Sequence, residues 1–244
     1  MSTWLDADGR FFSAQPQVQV LPLAPGRHCV VVDNALAHPQ GLRDWACAQA
    51  FQPPVGYPYP GVVCDVPDVM SARLADFFAQ HVRSHLGARR TLELSTRLSV
   101  ISTPPASLAP IQWLCHRDRF LNERSEILFL ACVLYLFPDA GFGGTSFYRP
   151  RLPPAETEQL VNDSQTLPAD LFSARYGLQP GYMNGSNAFF ERVAQVPAAW
   201  NRIIFYDGSL FHSADVGEAA LMTPDAQHGR LTLNSFITCR RAAR

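Results

Sequence analysis

Apolar residues along the chain fall either in short, nearly continuous runs of strand length or at helical spacing, with proline- and glycine-rich turns between them. Cys29-Val30-Val31-Val32-Asp33 is a short apolar run that predicts a strand. The segment 39–51 behind it opens on Pro39, a residue suited to the first turn of a helix. Residues 1–27, rich in Gln, Pro and Ala, predict an irregular arm or an edge strand. Residues 52–67 predict a long loop around Tyr57-Pro58-Tyr59-Pro60-Gly61, with both tyrosines able to line a pocket or simply to sit on the surface. From 68 to 86, Met70, Leu74, Phe77, Phe78 and Val82 recur at helical spacing, so one face of a helix should pack on a sheet.

The second half is more strand-like. Residues 92–102 alternate in places and put Arg97 and Ser99 on a common face; Pro104, Pro105 and Pro110 then make a loop. The longest apolar run, 127–137, is too short to span a bilayer and reads as a buried strand that stops at Pro138-Asp139-Ala140-Gly141. Tyr135 stands out in it, because a phenol in an apolar strand needs a partner. Residues 149–200 are the least strand-like. They read either as a lid or substrate-shaping insertion, with Tyr176, Tyr182, Phe189 and Phe190 as pocket walls, or as an elaboration covering a sheet edge. Residues 230–237 alternate again and place Arg230, Thr232 and Asn234 on one face, an odd set to bury unless something polar binds there.

Composition narrows the function classes. A chain of 244 residues with a net charge of −1 fits one β-rich domain with a substantial core and offers no basic surface for nucleic acid or a membrane. All 20 basic residues are Arg, which excludes a P-loop lysine, a Schiff base and a lysine general base. The 6 cysteines form no Cys-x-x-Cys pair and read as reduced thiols of a cytoplasmic protein, and residues 1–12 show no secretory signal. His81 and His85 lack the Glu of a zinc-protease helix and read as ordinary surface histidines.

The candidate chemistry centres on Gln112-Trp113-Leu114-Cys115-His116-Arg117-Asp118. In an extended segment His116 and Asp118 point to one face and can converge on one ion while Arg117 points away. A lone His-x-Asp is more often a solvated turn than a ligand pair, so a third ligand is needed, and His212 is the best candidate. Two His and one carboxylate with open positions suit non-haem Fe(II), and Arg230 is a fork able to grip a carboxylate through parallel hydrogen bonds.

The order His-x-Asp, strand, Gly143-Gly144, distal His, Arg230-x-Thr232 resembles the Fe(II)/2-oxoglutarate-dependent dioxygenases, particularly their prolyl-4-hydroxylase-like branch. The segments 132–137 and 143–147 are similar to that branch's Tyr-Leu-Asn and Gly-Gly-x-x-x-Phe, although Phe137 replaces the Asn and Thr145-Ser146 a Glu-Thr pair. The resemblance implies Fe(II) on His116, Asp118 and His212, with 2-oxoglutarate held by Arg230, Thr232 and Tyr135. It further implies O2 as oxidant, release of succinate and CO2, and hydroxylation of a small molecule or peptide. Strand count, ligand placement and resemblance together predict a mainly β fold with flanking α: a double-stranded β-helix (jelly-roll, cupin-like) core at 91–148 and 201–240, an N-terminal strand and supporting helices over 1–90, and the 149–200 insertion, all within one domain. Two other classes stay open, a zinc-dependent hydrolase on the same triad and a non-catalytic jelly-roll binding protein.

Overall fold

The computed structural model describes residues 4–118, 126–217 and 220–242. Among the described residues, ten strands and four α-helices follow one another as β1 (Gln17–Ala24), β2 (Arg27–Asp33), α1 (Pro39–Cys47), β3 (Gly61–Asp65), α2 (Asp68–His81), β4 (Ala88–Ile101), β5 (Ile127–Tyr135), β6 (Thr145–Pro150), α3 (Pro154–Thr166), α4 (Ala169–Tyr176), β7 (Phe190–Val196), β8 (Ile203–Asp207), β9 (Phe211–Ala214) and β10 (Arg230–Arg241). A seven-stranded sheet runs β1-β2-β8-β5-β10-β4-β3 and a three-stranded sheet runs β7-β6-β9. All pairings are antiparallel.

The continuous apolar runs of β2, β5 and β8 follow from burial on both faces of the large sheet. Side chains alternate across a strand, so Val30, Val32, Leu130, Leu134, Ile203 and Phe205 enter one core with α2 residues Met70, Leu74, Phe77 and Phe78. Their neighbours Cys29, Val31, Ala131, Tyr135, Ile204 and Tyr206 enter a second core with Phe147 and Val196 of the small sheet. A one-residue slip of β5 would exchange these two sets, so its register is strongly specified. The result is a mainly antiparallel β sandwich with helices flanking the outer face of its large sheet.

Three elements differ from expectation. The 52–67 region contains β3, which pairs Val63 with Ser99 of β4 on one side and bridges Gln52 on the other, and which lies between Pro60 and Pro67, both outside the hydrogen-bonded strand. The predicted 68–86 helix stops at His81, and a 3-10 turn over Arg83–Leu86 closes on Gly87 at φ 63. The last strand of the 149–200 stretch, β7, belongs to the small sheet. The true excursion is therefore the helical pair α3–α4 and the loop that returns from it. Leu160 and Phe172 of that pair pack with Trp113, Leu114, Phe190 and Phe211, so it buttresses the segment that carries His116. No helix among the described residues is long and apolar enough to cross a membrane.

Candidate metal centre

His116, Asp118 and His212 converge, with one ligand atom from each all lying within 4.8 Å of one another. They are the only such group of metal-ligating side chains among the described residues; His81 and His85 are not part of one. Local backbone pairing explains the meeting. Residue 116 bridges residue 212 through reciprocal hydrogen bonds of 2.9 and 2.8 Å, and the Asp118 N–H donates to the Gly208 carbonyl at 2.8 Å. Gly208 N–H in turn donates to Phe129 on β5 at 2.8 Å, tying the ligand segment to the large sheet. Arg117 points the other way, stacking its guanidinium 4.6 Å from the Phe211 ring centroid and pairing with Glu158 of α3 at 2.6 Å.

The ligand atoms are prepared for a cation. His116 Nε2 lies 3.7 Å from Asp118 Oδ1, and His212 Nε2 lies 3.7 Å from Asp118 Oδ2. His212 Nδ1 sits 2.8 Å from the Leu210 carbonyl, which can only accept; Nδ1 therefore carries the proton and Nε2 presents its lone pair. Tyr206 packs edge-on against the same imidazole at 4.8 Å, fixing its plane. The dense surroundings, and then the second imidazole, lower the His116 pKa to about 4 against the opposing pull of Asp118, so this ring is neutral and able to ligate near pH 7. The His116 side chain is nonetheless 54% accessible, because it faces a cavity. Asp118 Oδ2 is buried without a hydrogen-bond partner, an arrangement that costs stability unless a cation completes it.

The triad opens into a cavity of about 550 Å³ between the two sheets. Arg230, Thr232 and Asn234 share one face and line it, as their alternation predicted. Arg230 is 3% exposed; its Nε and Nη2 donate to the Gly143 carbonyl at 3.2 and 3.0 Å, and Nη2 also donates to Gly144 at 2.8 Å. Burial draws its pKa below the usual arginine value, with Tyr135, Tyr59 and Asp215 opposing. No carboxylate among the described residues pairs with it, since Asp215 is taken up by Gln195 and lies 3.9 Å from Arg192. Thr232 Oγ1 lies at the limit of hydrogen bonding, 3.5 Å from the Ser99 carbonyl.

Tyr135 is fully buried, and its hydroxyl is 2.8 Å from Thr145 Oγ1; Thr145, not Tyr135, lines the cavity. Of the insertion's aromatics, Tyr182 lines the cavity and donates to the Thr103 carbonyl at 2.7 Å, whereas Tyr176, Phe189 and Phe190 pack within the α3–α4 cluster. Tyr57, Tyr59 and Arg97 all reach the cavity. Sequence marks Thr145 only as a departure from the resembling family's motif and does not mark Met183 or Gly208, because their places depend on strand register and close approach that no local pattern encodes.

A family profile described as "Family of unknown function (DUF6445)" matches residues 14–237. No curated protein matches the chain. Among solved structures, HygX from Streptomyces hygroscopicus with nickel, 2-oxoglutarate and hygromycin B bound is 12% identical at a TM-score of 0.47, covering 87% of this chain and 82% of that one. The non-haem alpha-ketoglutarate-dependent epimerase SnoN from nogalamycin biosynthesis is 15% identical at a TM-score of 0.40, covering 81% and 70%. An N-substituted L-amino acid dioxygenase from Burkholderia ambifaria AMMD is 12% identical at 0.37, covering 86% and 81%.

Proposed function

Because the chain belongs to DUF6445, a family of unknown function, we propose its activity from the site it carries: an Fe(II)- and 2-oxoglutarate-dependent oxygenase that hydroxylates a C–H bond of a small molecule or peptide. One juxtaposition carries this reading. A buried carboxylate oxygen without a partner faces two imidazoles, and a buried guanidinium without a carboxylate lines the same cavity.

His116, Asp118 and His212 would hold the iron, a donor set that leaves positions open for further ligands. Arg230 would hold the far carboxylate of 2-oxoglutarate, with Thr232 beside it and Tyr135 behind it through Thr145. Metal, 2-oxoglutarate and O2 would together supply the oxidant for the C–H bond, one oxygen atom going to the substrate and the other to the succinate formed as 2-oxoglutarate loses CO2. The chain's own contribution is positional. Carbonyls of Gly143 and Gly144 fix the Arg230 fork, Leu210 fixes the His212 tautomer, and Ala131, Val133 and Phe236 give the cavity an apolar wall that limits water.

Strand adjacency supports a double-stranded β-helix: β4, β10, β5 and β8 are contiguous in the large sheet, and the His116 bridge, β9, β6 and β7 are contiguous in the small one. The 132–137 and 143–147 segments support a place near the prolyl-4-hydroxylase-like branch. All 6 cysteines are free and 4 are buried, which favours a reducing compartment such as the cytoplasm. A zinc hydrolase on the same triad gives the buried Arg230 no task.

The test is conversion of 2-oxoglutarate to succinate with Fe(II), followed with and without O2. The oxygenase reading predicts turnover that requires O2 and disappears in Asp118→Ala. Hydrolysis that proceeds with Zn(II) under anaerobic conditions would replace it.

A further inference from the structure

We infer that Arg97 is the anchor for a carboxylate on the substrate, so that this enzyme acts on a small organic monocarboxylic acid; the inference rests on the oxygenase reading and narrows its substrate class. Arg97 lies on β4 opposite Asn234 of β10 and lines the same cavity as the triad. Its guanidinium carbon is 4.3 Å from the Tyr57 ring centroid and 4.9 Å from that of Phe236. Two rings of this kind hold a guanidinium in place while leaving its edge donors free. No ion pair or hydrogen bond links Arg97 to another described residue, and its Nε is buried without a partner. Asp65 stands opposite it in the β3–β4 register but is exposed and forms no ion pair with it.

Charge balance within the cavity indicates what this cation awaits. Asp118 is the only carboxylate among the described lining residues, and the lining arginines are Arg97, Arg117 and Arg230. Arg117 is neutralised by Glu158. A ferrous ion, Asp118, the 2-oxoglutarate dianion and Arg230 cancel among themselves. Arg97 is left as a single positive charge, matched by one carboxylate; a phosphate would overshoot it. A planar carboxylate also fits the fork of a guanidinium through paired hydrogen bonds.

Position separates this anchor from the cosubstrate's. Asn234, across from Arg97, is four residues beyond Arg230 on β10, about 13 Å along the strand. The Asn234–Phe236 stretch is opposite Val133 and Ala131 of β5, towards the end where Phe129 bonds Gly208 and Gly208 bonds Asp118. A substrate gripped by Arg97 is thus held on the metal's side of the cavity while Arg230 keeps the cosubstrate.

The proposal is tested with the protein loaded with Ni(II), a redox-inert stand-in, and 2-oxoglutarate. A set of small aromatic and aliphatic monocarboxylates and their matched primary amides is screened by ligand-observed NMR. Acids should bind and their amides should not. Arg97→Gln should weaken the acids about tenfold or more and leave Ni(II)–2-oxoglutarate loading, read by calorimetry, as in wild type. Arg97→Lys should keep part of the affinity, and Asp65→Asn should not reduce it. Thermal denaturation establishes that each variant is folded. Equal binding of acids and amides, no binding of any acid, or unchanged acid binding in Arg97→Gln would each overturn the proposal. Should calorimetry show no loading at all, the oxygenase reading fails instead, and the dependence of acid binding on Arg97 is then read on unloaded protein.

Discussion

The carboxylate of Asp118 lies directly over the bare α-carbon of Gly208: a Cβ at residue 208 would come within 2.8 Å of Asp118 Oδ2 and 3.3 Å of its Cβ. Gly208 also accepts the Asp118 N–H, so one residue sets both the backbone position and the clearance of this ligand. Gly208→Ala should therefore displace the carboxylate and weaken metal binding by roughly 10–100-fold, the usual cost of disturbing a ligand's support. Calorimetric titration with Fe(II) or Ni(II) checks this, and an affinity equal to wild type would show that Asp118 does not need this clearance.

Arg230 depends on the two glycines whose carbonyls it grips. Gly143 has φ 88, and a Cβ there would fall 1.4 Å from the Asp215 carbonyl oxygen, while one at Gly144 would fall 2.0 Å from that of Val196. Gly143→Ala should destabilise the fold by at least about 1–3 kcal/mol from backbone strain alone, read by urea unfolding. Arg230→Met leaves those glycines in place and should instead raise the 2-oxoglutarate concentration needed for half-maximal succinate formation by about tenfold or more. An unchanged requirement would remove Arg230 as the cosubstrate's anchor.

The α3–α4 pair packs Leu160 and Phe172 against Trp113 and Leu114 of the segment that leads to His116. Phe172 is fully buried, with its ring 5.8 Å from Trp113, three residues before His116. Phe172→Ala should cost about 3–5 kcal/mol in urea unfolding and lower metal affinity by loosening the segment that bears His116 and Asp118. A stability loss under about 1 kcal/mol would mean that the helices do not support the site.

Only strong acid should loosen this contact. Asp163 of α3 accepts a 2.6 Å hydrogen bond from Tyr176 of α4, and that bond, with Gln159 and Arg175 assisting, holds its pKa below the usual carboxylate value. A carboxylate whose folded pKa is depressed contributes stability fully above its unfolded value, about 3.9, and loses it as the pH falls through the lower folded value. Wild type and Asp163→Asn should thus keep their full difference in unfolding free energy from pH 7 down to about pH 4 and converge only as the pH falls further, through the lower folded value. A difference that persists under acid would assign the stability to packing alone.

Much of the site was legible because its signals are local. Alternation alone put His116 opposite Arg117, and Arg230 with Thr232 and Asn234; the metal-ligating residue types then made His212 the natural third member. Long-range closure was less visible. Strand β3 hides among prolines, and β7 has a mostly polar outer face that reads as loop. Tyr135 was correctly expected to need a partner, but whether its hydroxyl would meet Thr145 or a ligand depends on how the two sheets stack. The role of Arg97 was equally undecidable, since its aromatic neighbours come from a loop and from a strand separated by most of the chain.

The central claim is most directly tested by anaerobic addition of Fe(II) and 2-oxoglutarate to the purified protein, watching for the weak visible charge-transfer band of the chelate. The account predicts the band in wild type and its loss in His212→Ala and Asp118→Ala. A wild-type protein that takes up Fe(II) and 2-oxoglutarate without the band, or that binds neither, would contradict it.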